Sequence, residues 1–268
     1  MIEFTESFLV WLASTLIPAF FGLQVITWAN RRVDARYLSA FAFGIFLWFF
    51  LDTIGGAATL DVNSGFSGGG AQIGVVVLFL IGLLFFVGID RNRGIFSTES
   101  AVGKYGLLIP ILVAVAVGIH GLGEGAAFGG TAHNTLSTDL LDAFGGLTAG
   151  VAYVLHKGLE PMMIGACYCL YTKRQATGIT NWTRDLLLLS IIFTLPSLIG
   201  AASGYFIKYE TSYFFALGTG TSIYAAMRLA GPLFNVREAT LSGYPIKITV
   251  ALLVGFMAIY FAALFHSG

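Results

Sequence analysis

The chain has 268 residues, of which 57% are apolar and only 10% are charged, and its formal net charge is zero. Soluble domains are about 45–50% apolar and about 25% charged, so this composition excludes a water-soluble globular fold. It also excludes a disordered chain, and the zero net charge gives no electrostatic attraction to nucleic acid. The apolar runs are continuous rather than alternating, which argues against an outer-membrane barrel and predicts an all-α polytopic membrane protein.

Eight apolar segments are long enough to cross a bilayer as helices. Their approximate limits are 6–29, 37–56, 71–90, 104–129, 142–172, 184–207, 211–233 and 246–266. The first segment follows Glu3 and Glu6 rather than a positive start, so we expect it to be retained and not cleaved as a signal peptide. The segments leave no room for a soluble domain, and we interpret residues 1–268 as one transmembrane domain.

Positive charges are unevenly distributed among the connections between these segments. Twelve of the fourteen Lys and Arg residues lie at or near the odd-numbered connections, whereas the even-numbered ones hold only Lys208. Because Lys and Arg favour the cytoplasmic side, both termini are predicted to be extracellular. The short polar outer loops suit the plasma membrane of a prokaryote.

Several ionisable side chains lie at predicted membrane depth, where each charge costs roughly 2.5–3.5 kcal/mol and is a candidate for function. His120 and Glu124 are four residues apart in the fourth segment, so they share one helix face. His156 and Glu160 repeat that spacing in the fifth segment. Two facing helices would offer two imidazoles and two carboxylates, and a dication between the carboxylates would remove their repulsion. The sequence therefore predicts a metal or proton site.

Glycine and proline surround these pairs. Gly121, Gly125 and Gly129 are spaced four apart and form a face of small residues that predicts close helix packing beside the ligands. Pro161 lacks a backbone donor and is predicted to kink the fifth segment at Glu160.

Two further residues are accessory candidates. Lys157 either pairs with Glu160, three residues later, or supplies a fixed positive charge in place of a second metal. Asp52 either hydrates the outer half of the second segment or takes part in transport. His133 is interpreted as a solvated loop residue that could collect metal at an entrance.

The two paired motifs resemble those of the ZIP (Zrt/Irt-like) family of divalent metal transporters. The chain reads HGLGEG from His120 and HKGLE from His156, where the family carries patterns like HNxPEG and HxxPEG or HKxxE. Residues 42–52, 193–204 and 216–229 are similar to the second, sixth and seventh helices of the family, so the resemblance covers essentially the whole chain.

The resemblance implies a site between the fourth and fifth helices and a three-plus-two-plus-three helix arrangement that works by alternating access. The implied metal ligands are His120, Glu124, His156 and Glu160. Three departures from the family pattern, at Gly121, Gly123 and Lys157, favour one metal rather than two.

Imidazoles combined with carboxylates suit Zn²⁺, Fe²⁺, Mn²⁺, Co²⁺ or Cd²⁺, and zinc is our first choice. The predicted function is therefore inward transport of such an ion as substrate, without enzymatic activity or an organic cofactor. The expected partners are the metal ion, the lipid bilayer and a second copy in a homodimer, but no nucleic acid. Two alternatives are an intramembrane metal-dependent hydrolase and a metal-binding sensor without flux. A third is a light-absorbing protein with a Schiff base on Lys157.

Overall fold

A computed structural model describes residues 2–63, 69–90, 106–135, 139–172, 179–233 and 244–264. Across these ranges the regular structure consists of helices, with no strand, as predicted for an all-α protein. The helices are α1 (Phe4–Ala29), α2 (Ala35–Asn63), α3 (Gly69–Asp90), α4 (Leu108–Gly118), α5 (Gly121–Asn134), α6 (Leu140–Ala143), α7 (Leu147–Leu159), α8 (Met162–Tyr171), α9 (Ile179–Phe206), α10 (Ser212–Leu233) and α11 (Tyr244–Leu264).

Six helical segments in the described part of the chain are long and apolar enough to cross a membrane. They are Phe4–Ala29, Ala35–Gly55, Ile73–Asp90, Leu108–Asn134, Asn181–Phe206 and Pro245–Leu264. Each overlaps one of the predicted spans, and the set is what a multi-pass membrane protein requires.

The other two predicted spans are also helical, but one is divided into short helices and the other is less apolar than the six. Segment 142–172 is divided among α6, α7 and α8, none of which is long enough to span a bilayer alone. Helix α10 has 22 residues but is less apolar, since it carries Arg228 among glycine, serine and threonine residues. The count of eight spans therefore stays a prediction.

The α4–α5 unit lies at the centre of the molecule, whereas α3 and α11 are the most exposed of the six apolar segments. The outer surface of the bundle is apolar: Leu84 is 63% exposed and Ile246 is 70% exposed. An apolar exterior of this kind suits hydrocarbon and not water.

Glycines allow α5 to pack closely on α9, as their spacing predicts. A Cβ atom added at Gly125 or Gly129 would collide with the backbone of α9, and one added at Gly200 or Gly204 would collide with the backbone of α5. The two helices are therefore in backbone contact along this face.

The two ends of the bundle can be identified from individual contacts. At one end, Tyr205 near the end of α9 donates to the carbonyl of Ile2 at 2.8 Å, which brings the N-terminal residues beside the last turns of α5 and α9. At the other end, α3 finishes at Asp90, which pairs with Arg228 of α10. Tyr171 of α8 donates to the carbonyl of Arg228 at 2.7 Å, which ties α8 to this second end.

Candidate metal centre

Both helices that carry the paired motifs are interrupted at the motif itself. Helix α4 ends at Gly118 and α5 begins at Gly121, so His120 lies in the break. Helix α7 ends at Leu159 and α8 begins at Met162, so Glu160 and Pro161 lie in the second break. The second break falls at Glu160, where Pro161 predicts a kink, and the break at His120 interrupts the fourth span in a similar way.

Each break has a local cause. At the first, Nδ1 of His120 donates to the carbonyl of Val117 at 2.7 Å, the carbonyl that accepts from Gly121 in an unbroken α-helix. At the second, Pro161 has no N–H to offer the carbonyl of Lys157. At both places, backbone hydrogen bonds join residues three apart instead of four, as between Gly123 and His120 and between Met163 and Glu160. Such tighter turns within long helices often mark functional hinges.

The hydrogen bond to Val117 also fixes the imidazole of His120. A carbonyl can only accept, so the proton of a neutral His120 ring lies on Nδ1 and the lone pair lies on Nε2. That Nε2 is 3.2 Å from Oε1 of Glu124 and 3.1 Å from Oε1 of Glu160. Three lone-pair-bearing atoms thus converge, and such an arrangement needs a cation or a proton among them.

His120, Glu124 and Glu160 could hold a metal ion, because one ligand atom from each lies within 4.8 Å of the others. His120 and Glu160 are buried, with exposed fractions of 2% and 0%, and Glu124 is partly exposed. Burial makes the electrostatic interaction of these groups with any bound ion stronger than it would be in water. The structure therefore unites three of the four predicted ligands, while their binding of a metal stays a prediction.

His156, the fourth predicted ligand, lies against one edge of this group. Its Nε2 atom is 2.7 Å from Oε1 of Glu160. At this distance an Nε2–H of His156 faces the carboxylate oxygen, and among the described residues neither atom has a further hydrogen-bond partner. A proton on Nε2, or a metal ion in its place, would satisfy both of these buried atoms.

Lys157 lies among these proposed ligands. The sequence predicted its contact with Glu160 but not its contacts with Glu124 and His120. Its Nζ atom is 2.7 Å from Oε2 of Glu160, the predicted pairing, and also 2.5 Å from Oε2 of Glu124 on the other broken helix. It donates to Nε2 of His120 at 3.3 Å. We call His120, Glu124, Lys157 and Glu160 the central cluster. With neutral imidazoles it contains two carboxylates and one ammonium, so its formal charge is −1.

A cavity of about 600 Å³ leads to the central cluster from the end of the bundle where α5 finishes and α7 begins. Glu124 and His156 line this cavity, and so does Asp52 of α2, whose side chain is exposed. Asp52 thus faces the access route, and a part for it in metal binding stays a prediction. On the opposite side of the cluster, α4 and α8 pack through fully buried residues such as Val113 and Met163.

The prediction for His133 is confirmed for its exposure and wrong for its secondary structure. It lies in the last turn of α5, not in a loop, and its ring meets the edge of Tyr205 with centroids 5.0 Å apart. The contact with α9 continues one residue past Gly129, since a Cβ atom added at Gly130 would lie 3.7 Å from the carbonyl oxygen of Gly204. His133 lines a second cavity near the surface.

A second buried ion pair, between Arg228 and Asp90, was not predicted, because Arg228 lies near the end of a predicted span and resembles a charge of the following connection. Arg228 is 2% exposed and pairs with Asp90, which is fully buried. Tyr224 donates to Oδ2 of Asp90 at 2.7 Å and accepts from Nε of Arg228 at 3.2 Å. The available signal was that both charges fall within predicted spans, where an ionisable residue usually has a partner.

Comparison of the chain with protein-family models and with curated proteins finds no match.

Proposed function

We propose that this protein carries a divalent transition-metal ion across a membrane in the manner of the ZIP family, with zinc as the first candidate substrate. The observation that carries the proposal is the convergence of His120, Glu124 and Glu160 within 4.8 Å of one another at the inner end of a cavity. His156, 2.7 Å from Glu160, is the fourth proposed ligand.

The chemistry of the donors supports a borderline metal ion. Nε2 of His120 directs its lone pair at the carboxylates because Nδ1 is bound to Val117. Imidazole nitrogen with carboxylate oxygen favours zinc and its neighbours, whereas Mg²⁺ and Ca²⁺ prefer shells of oxygen alone. The formal charge of −1 in the central cluster also favours an added cation.

The breaks in the two ligand-bearing helices support movement of the ion, not permanent storage. Irregular backbone at membrane depth is found where it lines a cavity or a binding site. Here the breaks at His120 and Glu160 place ligands where half-helices can move relative to one another. The cavity gives access from one end, and the packed α4 and α8 side would have to open to release the ion at the other.

The proposed direction of transport depends on how the chain is oriented in the membrane. If α7 and α8 together cross the bilayer once, and α10 crosses it once, the chain has eight spans with both termini on one side. The N-terminal residues lie at the cavity end, which the distribution of Lys and Arg predicts to be extracellular. The metal would then enter from outside and leave toward the cytoplasm.

The test has two measurements on the purified protein. In detergent, binding of Zn²⁺, Mn²⁺, Fe²⁺ and Cd²⁺ is measured for the wild type and for Glu124→Gln. In liposomes loaded with a metal-sensitive dye, uptake of the same ions is measured. Glu124→Gln should weaken metal binding by about 10–100-fold or more, because it removes a charged ligand, and saturable uptake should be lost.

The matched control is Glu6→Gln, the same chemical change at an exposed position of α1, which should bind and transport like the wild type. Wild-type binding without uptake would overturn transport and favour the sensor. Normal uptake by Glu124→Gln would show that the metal site is elsewhere.

A further inference from the structure

The ammonium of Lys157 lies where a bound cation would be expected. It is 2.5 Å from Glu124, 2.7 Å from Glu160 and 3.3 Å from Nε2 of His120, the same three residues that converge as metal ligands. Its side chain is only 1% exposed, so water does not share its charge. In this structure the lysine bridges the two carboxylates from the two broken helices.

A positive charge in this position has a clear effect on the metal-free protein. Without it, and with neutral imidazoles, Glu124 and Glu160 would be two buried or partly buried carboxylates side by side, with no counter-charge among the described residues. Removing one partner of a buried ion pair is strongly destabilising, because the remaining charge is neither solvated nor paired. Lys157 therefore keeps the empty cluster compact and reduces its formal charge from −2 to −1.

The same charge is unfavourable once a dication has bound. A metal at Glu124 and Glu160 would carry two positive charges within a few ångströms of the ammonium, and the two cations would compete for the same oxygens. The rings of Tyr153 and Phe193, each centred 5.6 Å from Nζ, offer aromatic faces toward which the displaced ammonium can turn.

We propose that the ammonium of Lys157 is a tethered counter-cation that takes the place of the transported metal after its release. It thereby allows the metal-free carrier to return to the state that binds the next ion. This inference rests on the proposed function. After metal release the ammonium moves back between the carboxylates, so the closed intermediate of the return step contains no unpaired buried acid. Net uptake needs this return step, whereas exchange of internal for external metal can proceed with the site always loaded.

The experiment compares the two kinds of flux in the same liposomes. Net uptake of radioactive Zn²⁺ into zinc-free vesicles is measured beside its exchange into vesicles that contain unlabelled Zn²⁺. Lys157→Met keeps the length of the side chain and removes its charge. We expect it to lower the ratio of net uptake to exchange by about tenfold or more, because the empty return step would bury an unpaired charge.

Two controls accompany this variant. Lys208→Met makes the same change at an exposed lysine and should leave the ratio unchanged. Lys157→Arg keeps the charge and should restore much of the ratio. An unchanged ratio in Lys157→Met, with normal wild-type flux, would overturn the role of Lys157 alone. Wild-type vesicles with neither flux would overturn the proposed function and, with it, the return step.

A second readout does not need flux and applies even if Lys157→Met folds poorly without metal. The variant is purified with Zn²⁺, and the rise in melting temperature that Zn²⁺ causes is compared with that of the wild type. The rise should be larger in the variant, because there the metal supplies the counter-charge that the lysine no longer provides. Equal rises would count against the inference.

Discussion

The central cluster and the Asp90–Arg228 pair are both buried groups of charges, yet they are built differently. Among the described residues, Asp90 and Arg228 form a one-to-one pair completed by the hydroxyl of Tyr224, in the half of the bundle opposite the cavity. The central cluster has two carboxylates for one ammonium, lies against His156 and is reached by a cavity. A balanced pair needs nothing from outside, whereas a cluster with surplus negative charge invites a cation. The difference separates a structural ion pair from a binding site.

The largest expected effect comes from unbalancing the structural pair. Arg228→Met should lower the free energy of unfolding by about 3–5 kcal/mol, because Asp90 would remain charged and buried without a partner. The measurement is equilibrium unfolding in detergent micelles. The double variant Asp90→Leu with Arg228→Met should recover most of the loss. A double variant as unstable as the single one would show that the charge of Asp90 is not the cause.

The next largest effect is expected in the central cluster, where removing one charge should act differently from removing one charge of the Asp90–Arg228 pair. Glu160→Gln removes the surplus negative charge, so the metal-free variant should unfold within about 1 kcal/mol of the wild type, unlike Arg228→Met. The two proteins should differ once zinc is added. At roughly 100 times the dissociation constant, zinc should stabilise the wild type by about 2.7 kcal/mol and the variant hardly at all. A large loss of stability without zinc would mean that Glu160 has a mainly structural role.

The smallest effect belongs to an exposed pair, Asp34 and Arg36, at the start of α2. The Arg36 side chain donates hydrogen bonds to the Asp34 carboxylate and holds the pKa of that carboxyl below its ordinary value. The Asp34 carboxylate also caps the helix by accepting from the backbone N–H of Arg36 at 2.9 Å. Asp34→Ala should cost about 1 kcal/mol of unfolding free energy through the lost cap, and Asp34→Asn much less.

The pH dependence of this pair has a definite sign. A lowered carboxyl pKa stabilises the folded protein above the ordinary value of about 4, and the contribution is lost as the pH falls through the lowered pKa. Unfolding measured between neutral and acidic pH should therefore show a slightly flatter profile in Asp34→Asn than in the wild type. Identical profiles would mean that the Asp34–Arg36 pair does not persist in solution.

Spacing along the chain was enough to find most of the central cluster. His120 with Glu124, and Lys157 with Glu160, are neighbours on one helix face, so helical geometry predicts their contacts. The break at Pro161 follows from the missing N–H in the same way. The all-helical fold and the apolar spans follow from composition and the length of the apolar runs.

Contacts that depend on how two helices are placed could not be found in this way. The approach of Lys157 to Glu124 requires a particular rotation and height of α7 beside α5, which neither helix encodes alone. The Asp90–Arg228 contact joins residues 138 positions apart, and its register is set by the packing of α3 on α10. The break at His120 has no proline and depends on a rotamer that delivers Nδ1 to the carbonyl of Val117.

The glycine contact between α5 and α9 has a consequence for how the chain can vary. Gly125 directly follows Glu124, and the space beside its Cα atom is filled by the carbonyl of Ser197 and the backbone nitrogen of Ala201. One added methyl group at this position must push the two backbones apart, and the displacement would be transmitted to the adjacent carboxylate. A substitution as small as Gly125→Ala can therefore displace Glu124 and weaken the site, although it removes no ligand. We therefore expect the fewest substitutions to be accepted at the glycines between α5 and α9, which have no side chain at all.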